Sequence, residues 1–238
     1  MSSHKKEIIA ITQARMSSSR LPGKTLREMA GTSMLELMQE RLHEGNTRVR
    51  HVIATSIDPS DDPIEDLCEA LEVPCVRGSL DNVLDRYVRA IDEFNPAVAI
   101  RLTGDNPILD SRAVEAGVQA FTNLSTEQIG VCNHLADRTD PLGYCVEVFQ
   151  PDALRWLNEQ DLTDAEREHV TLGFKNRDMY GSFHILPGDH SGFRWTVDTS
   201  EDFEYMTHMF EELGRQVSGE RALQWSSLHP HPKDRIES

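Results

Sequence analysis

A chain of 238 residues with 38% hydrophobic content is long enough to bury one substantial core, and a single domain of 1–238 is the expectation. Its 24 Lys+Arg against 40 Asp+Glu give a formal charge of -16, which repels phosphate backbones and anionic membranes and argues against nucleic-acid or lipid partners. Four cysteines without CxxC spacing, no apolar run long enough for a signal peptide or a membrane span, and the absence of a long linker fit a reduced, soluble, cytoplasmic protein.

In chain order, short β-branched runs alternate with longer amphipathic ones. Ile8 to Thr12 is predicted as a strand and Ser33 to His43 as a helix opened by a Ser33–Glu36 capping-box spacing; Val52 to Thr55 and Pro63 to Leu71 repeat the pair. Val73 to Val76, Val83 to Phe94, Val98 to Leu102 and Ala113 to Phe121 continue it. Such alternation predicts an α/β fold: a three-layer α/β/α sandwich on a mostly parallel, Rossmann-like sheet, with ligands at the C-terminal ends of its strands. From Ile129 the rhythm changes. Strands are expected at Ile129 to Cys132, Gly143 to Phe149, Gly181 to Leu186 and Phe193 to Val197, and helices at Pro151 to Asn158, Ala165 to Asn176 and Glu201 to Leu213, the last capped by Thr199 or Ser200. Residues 129–238 then read as a lid half over residues 1–128. His229 and His231, between Pro230 and Pro232, read as an extended, solvated tail rather than a metal site.

The informative stretch runs from Gln13 to Lys24. Between Ile8 and Arg27 stand four cations and no acid, a local reversal of charge in an acidic chain. Guanidinium and ammonium donors, with small residues whose backbone N–H groups can approach oxygens, suit a polyphosphate. Ser18 to Thr25, SSRLPGKT, falls one residue short of the P-loop pattern, lacking its first glycine. A P-loop-like small-molecule kinase is therefore a rival reading. A nucleotide-sugar-dependent glycosyltransferase is another, although the chain contains no Asp-x-Asp motif.

The series Ala14, Arg15, Ser18, Arg20, Leu21, Pro22, Lys24 fits A-R-x-x-S-x-R-L-P-x-K. It is followed in order by Arg77-Gly78-Ser79 with Val83-Leu84-Asp85-Arg86-Tyr87, Arg101-Leu102-Thr103-Gly104-Asp105-Asn106-Pro107, Glu166-Arg167-Glu168-His169-Val170-Thr171, and Arg194 through Asp202. On these five blocks the chain resembles the cytidylyltransferase family that includes CMP-sialate and CMP-Kdo synthetases, most closely its spore-coat polysaccharide (SpsF) branch. In that branch glycine is usual at position 17, where this chain has Ser17.

The resemblance implies a Mg²⁺-dependent transfer of CMP from CTP to an acidic sugar or similar small acceptor, with release of pyrophosphate, in surface polysaccharide or glycoconjugate synthesis. It implies that Arg15, Arg20 and Lys24 hold the triphosphate with Ala14 and Ser18, and that Arg15, Lys24 and Asp105 are catalytic. Asp105, in a Thr-Gly-Asp-Asn-Pro turn after a strand, and Asp198 are the expected Mg²⁺ ligands. Arg77, Ser79, Asp85 and Arg86 are candidates for the cytosine and ribose, and Asn133, Glu147, Glu168 and His169 for the acceptor. Relatives further imply a homodimer contact in the second half.

Overall fold

The computed structural model describes residues 7–44, 49–124 and 128–235, the side chains of 234 and 235 excepted. Strand β1 (Ile8–Gln13) lies at the centre of a seven-stranded sheet with β4 (Val49–Ser56), β5 (Cys75–Gly78), β6 (Val98–Thr103), β7 (Gly130–Cys132), β8 (Glu147–Phe149) and β9 (Tyr180–Ser182). The order is β5-β4-β1-β6-β8-β7-β9, with a two-stranded ribbon, β2 (Glu28–Met29) and β3 (Thr32–Ser33), outside it. β5, β4, β1 and β6 are parallel, and β8 runs antiparallel to both β6 and β7. The chain leaves β1 to one side for β4 and β5, then returns to its other side for β6. The cleft beyond the C-terminal ends of β1 and β6 is therefore the topological switch point, where an open α/β sheet takes its ligand.

Alternation along the strands sorts the core into two layers. Ala10, Ile100 and Leu102 join one cluster with α1 (Met34–His43), α4 (Ser111–Thr122), α8 (Ser200–Leu213) and α9 (Gly219–Leu228). Ile9, Ile11 and Ala99 join the other with α3 (Val83–Phe94), α5 (Pro151–Asn158) and α7 (Leu172–Lys175). Helix α2 (Asp62–Ala70) closes a smaller cluster through Ile64 and Cys68. Arg101 and Thr103 share the face of Ala99, so β6 presents a cation and a hydroxyl on the α3 side of the sheet. Among the described residues no helix is long and apolar enough to cross a membrane.

The first half follows the expected alternation closely, and α3 has the expected bounds. At Ser33 the hydroxyl accepts from Glu36 N at 3.2 Å. The second half departs in five places, the first being that the strand expected from Gly181 to Leu186 runs over Tyr180–Ser182 and ends there. The run from Gly143 forms a strand only at 147–149, because the Asn133 side chain takes the place of a neighbouring strand: Val146 N donates to its Oδ1 and its Nδ2 donates to Tyr144 O, both at 2.8 Å. Phe193 to Val197 forms no ladder. It lies between two loops, bonded to Leu142 through one isolated bridge and to Asp105 O through Val197 N at 2.8 Å. The helix expected over 165–176 is split into α6 (Asp164–Glu168) and α7 by Val170, whose φ of 51° leaves the helical region. The chain after Gly214 forms α9, and the segment beyond that helix is no solvated tail: His231 is 2% exposed, packed edge-on to Tyr205 with ring centroids 4.6 Å apart.

Candidate active site

The basic loop folds back on itself before it meets any ligand. Gly23, at φ 71°, takes a left-handed turn that brings its N–H to Met16 O at 2.9 Å. Buried Asp61 receives Met16 N at 2.7 Å, and Thr25 Oγ1 donates to Arg15 O at 3.1 Å. These bonds turn Arg15, Arg20 and Lys24 toward one cavity of about 320 Å³ at the switch point. Lys24 opens a three-residue 3₁₀ turn followed by the β2–β3 ribbon, so the helix that a P-loop lysine begins is missing here.

Opposite stands the loop after β6. Gly104 N donates to Gln13 O at 2.9 Å, and a Cβ on Gly104 would lie 2.5 Å from that oxygen, so only glycine permits the two loop bases to sit this close. Asn106 closes the turn onto Thr103 through its backbone N–H, at 3.2 Å, and through its side chain, at 2.8 Å. Asp105 projects over the sheet edge. Its backbone carbonyl accepts from Val197 N, which places Asp198 beside it.

Lys24 Nζ sits between the two carboxylates, 3.9 Å from Asp105 Oδ2 and 3.8 Å from Asp198 Oδ1, and donates to Val197 O at 2.6 Å. Arg20 Nη2 lies 2.8 Å from Asp198 Oδ1, and Arg15 Nη2 3.6 Å from Glu168 Oε1. Cations suited to phosphate thus pair with acids suited to a metal. Two carboxylates facing a basic loop form a sparse oxygen set of the kind Mg²⁺ prefers, with room for ligand oxygens and water, so the residues fit that ion. They could hold it only if Lys24 moves from between them.

Ala14, Arg15, Ser18, Arg20, Lys24, Arg86, Asp105, Glu168, His169 and Asp198 all line this cavity. Arg77, Ser79 and Asp85 do not; they line an adjoining, more open cleft beyond β4 and β5. Arg77 is held there by Asp62 and Glu65, at 2.7 and 2.5 Å, and Asp85 by Arg89 at 2.6 Å. Asn133 and Glu147 reach neither cavity. Asn133 is spent on the backbone bonds described above and on Asp140, at 2.8 Å. Glu147 is 1% exposed and bonded to Arg101 and Lys175, both at 2.9 Å, and to Thr171. Burial alone would raise the Glu147 pKa, but Lys175 and Arg101, with the Thr171 hydroxyl, hold it down at about 2. With Cys132 and Cys145 it forms a compact group of potential metal donors, yet two cations already occupy its carboxylate.

Sequence reasoning did not assign Arg101 a role, yet it lines the cavity floor beside Arg86. Arg86 is 1% exposed and bonds Ala54 O at 3.5 Å, and among the described residues its buried Nε and that of Arg101 have no hydrogen-bond partner. Guanidinium groups lining a cavity are suited to a polar or anionic ligand. The available signal was alternation: Arg101 falls on the same strand face as Thr103, at the ligand edge.

A mostly parallel α/β sheet with a basic loop and an opposed aspartate pair at its switch point is the arrangement of a nucleotidyltransferase, the class to which the family match assigns the chain. The pattern of the cytidylyltransferase family matches residues 9–217, and the chain belongs to that family. It is 34% identical over 219 residues to the spore coat polysaccharide biosynthesis protein SpsF of Bacillus subtilis, covering 88% of this chain and 89% of that one. A solved cytidylyltransferase of Leptospira borgpetersenii superposes with a TM-score of 0.85 at 27% identity, over 95% of both chains. A CMP-2-keto-3-deoxy-manno-octonic acid synthetase solved with CTP shares the fold, with a TM-score of 0.64 at 20% identity over 87% of this chain and 99% of that one.

Proposed function

We propose that this enzyme transfers CMP from CTP to an acidic sugar or similar small acceptor, releasing pyrophosphate, with Mg²⁺ held by Asp105 and Asp198. The observation that carries the reading is that Arg20 and Lys24 meet those two carboxylates, with Arg15 beside them, in one cavity at the switch point. A relative named for polysaccharide synthesis and a fold shared with a CTP-bound sugar-acid synthetase support the acceptor class.

In this reading the triphosphate lies along the basic loop. Arg15 and Arg20 exchange their acidic partners for β- and γ-phosphate oxygens, and Lys24 turns to the bridging and α-phosphate oxygens. An acceptor oxygen attacks the α-phosphorus in line; the bond to the bridging oxygen breaks, pyrophosphate carries the electron pair away, and the acceptor's proton is lost to water. Lys24 follows the charge building on the α-phosphate and the leaving group, where fixed electrostatic donors contribute most to such transfers. Bound Mg²⁺ supplies Lewis-acid neutralisation of the phosphates. Arg86 takes the cytosine or ribose, with Arg77, Ser79 and Asp85 closing in from the adjoining cleft. Arg101, Glu168 and His169 face the acceptor end.

The test is pyrophosphate release with Mg²⁺ and each of CTP, UTP, ATP and GTP, against a panel of sugar acids. CTP-selective release dependent on one acceptor is expected, and Asp105→Asn should abolish it with the melting temperature retained. Absence of Mg²⁺-dependent binding of any nucleotide, measured by calorimetry, would overturn the reading.

A further inference from the structure

The carboxylate of Asp198 is oriented from behind. On the far side from Arg20, its Oδ2 receives Arg194 Nη2 at 2.7 Å. That guanidinium is shared, because Arg194 Nε also donates to Asp202 Oδ1 at 3.0 Å, and Nη2 lies 3.3 Å from Asp202 Oδ2. Asp202 is wholly buried at the start of α8, where its Oδ2 accepts the backbone N–H of Asp198, at 2.9 Å, and of Thr199, at 2.8 Å. The loop bearing the metal-binding aspartate is thus fastened to one buried carboxylate.

A buried carboxylate must be matched in charge, and Arg194 is only half available. The other cation comes from the chain's last described segment. Lys233 Nζ reaches Asp202 Oδ1 and Oδ2 at 2.8 and 3.0 Å and Thr199 Oγ1 at 3.3 Å, while His231 Nε2 lies 3.2 Å from Asp202 Oδ1. The segment is anchored independently of these bonds: Tyr205 Oη donates to His229 O at 3.0 Å, and the His229 ring stacks on Trp225 with centroids 4.4 Å apart.

On the side away from Arg20 and Lys24, Asp198 and Asp202 share two cations, Arg194 and Lys233. Arg194 can serve Asp198 only while Lys233 meets the remaining demand of Asp202. Without the ammonium, the fully buried carboxylate competes better for the guanidinium than the part-exposed one, since attraction strengthens as solvent is excluded. Asp198 would then follow its remaining partners, Arg20 and Lys24, toward the phosphate side.

Resting on the Mg·CTP reading above, we propose that Lys233, seated by His231, is a positioning residue for the reaction: through Asp202 and Arg194 it holds Asp198 in the orientation that receives the metal. The segment is then a working part of the nucleotide site, although it lines neither cavity.

The experiment uses the full chain and its Lys233→Met, Lys233→Gln and Lys233→Arg variants. Mg²⁺ is titrated at fixed CTP with binding followed by calorimetry, and thermal unfolding is recorded in parallel. Loss of the ammonium should raise the Mg²⁺ concentration for half-maximal CTP binding about tenfold, the scale on which partners of metal ligands act. CTP affinity at saturating Mg²⁺ should stay near the parent value, and Lys233→Arg should restore the midpoint. The Gln variant, which keeps a hydrogen-bond donor, carries the test if the Met variant unfolds. An unchanged Mg²⁺ midpoint, whatever the melting temperature does, overturns the proposal and leaves the segment a structural clasp. Absence of Mg²⁺-dependent CTP binding in the parent chain overturns the nucleotide reading itself, and this one with it.

Discussion

Lys24→Met keeps the length of the side chain and removes its charge, and the geometry gives this change two opposite effects. The side chain is 12% exposed, and its ammonium lies 3.9 and 3.8 Å from the two carboxylates assigned to Mg²⁺. A divalent ion entering without nucleotide must displace or repel it. Two ion pairs of this kind, at about 0.5–1 kcal/mol each, put about 1–2 kcal/mol in the way of the bare ion. The variant should therefore bind Mn²⁺ alone about 5- to 30-fold more tightly, measurable by the loss of the free-ion paramagnetic resonance signal. Turnover should move the other way. Removing one preorganised donor to the developing charge costs about 3–4 kcal/mol, so pyrophosphate release should fall by about 10²–10³. Weaker Mn²⁺ binding in the variant would refute the placement of the ammonium at the metal position, and unchanged turnover would reduce Lys24 to an anchor.

Three further predictions concern stability. Glu147 titrates at about 2 in the folded chain against an ordinary value of 4.5, so its contribution is complete above 4.5 and is lost as the pH falls toward 2; Glu147→Gln should flatten that part of the acid-unfolding curve while costing about 3 kcal/mol at neutral pH, read by urea titration. His51, buried against Thr12 at 2.7 Å, is pushed down from 6.5 to about 3, chiefly by burial, so the unfolded chain takes the proton first and stability falls as the pH drops through 6.5 toward 3. His51→Gln should shallow the slope between 6.5 and 4.5, where Glu147 does not yet contribute and His134, likewise pushed down by burial to about 4, supplies a further share. Arg41 is wholly buried and donates to the carbonyls of Ile108, Leu109, Arg215 and Val217, so Arg41→Met should lower the urea midpoint by an amount equivalent to about 3 kcal/mol, with no change in slope.

The sheet from Ile8 to Thr103 was legible because parallel βα units carry two periodicities in the sequence itself, and the charge reversal before Lys24 marked the ligand edge. The second half was harder to read because nonlocal partners override local pattern there. Nothing in the run from Gly143 to Val146 announces that the Asn133 amide replaces a strand, and nothing in Val170 announces a left-handed residue inside a helical stretch. The same limit applies to the site. Arg15, Arg20, Lys24, Asp105 and Asp198 stand in recognisable turns and meet in one cavity. Asn133 and Glu147 are polar residues near strand ends, which reads equally as ligand contact or buried network. Lys233 escaped notice because its partner, Asp202, is 31 positions away and on another element.

The glycine at position 104 sets a limit on how this enzyme can vary. With 2.5 Å between a would-be Cβ and Gln13 O, alanine or anything larger acts as a wedge that drives the basic loop after β1 from the loop after β6. The spacing of these two loops is thus written as a missing methyl group. No single replacement at 104 can be absorbed by a rotamer change nearby, because the obstacle is main chain. Residues elsewhere on the cavity wall can drift, but the distance from Lys24 to Asp105 must be inherited unchanged.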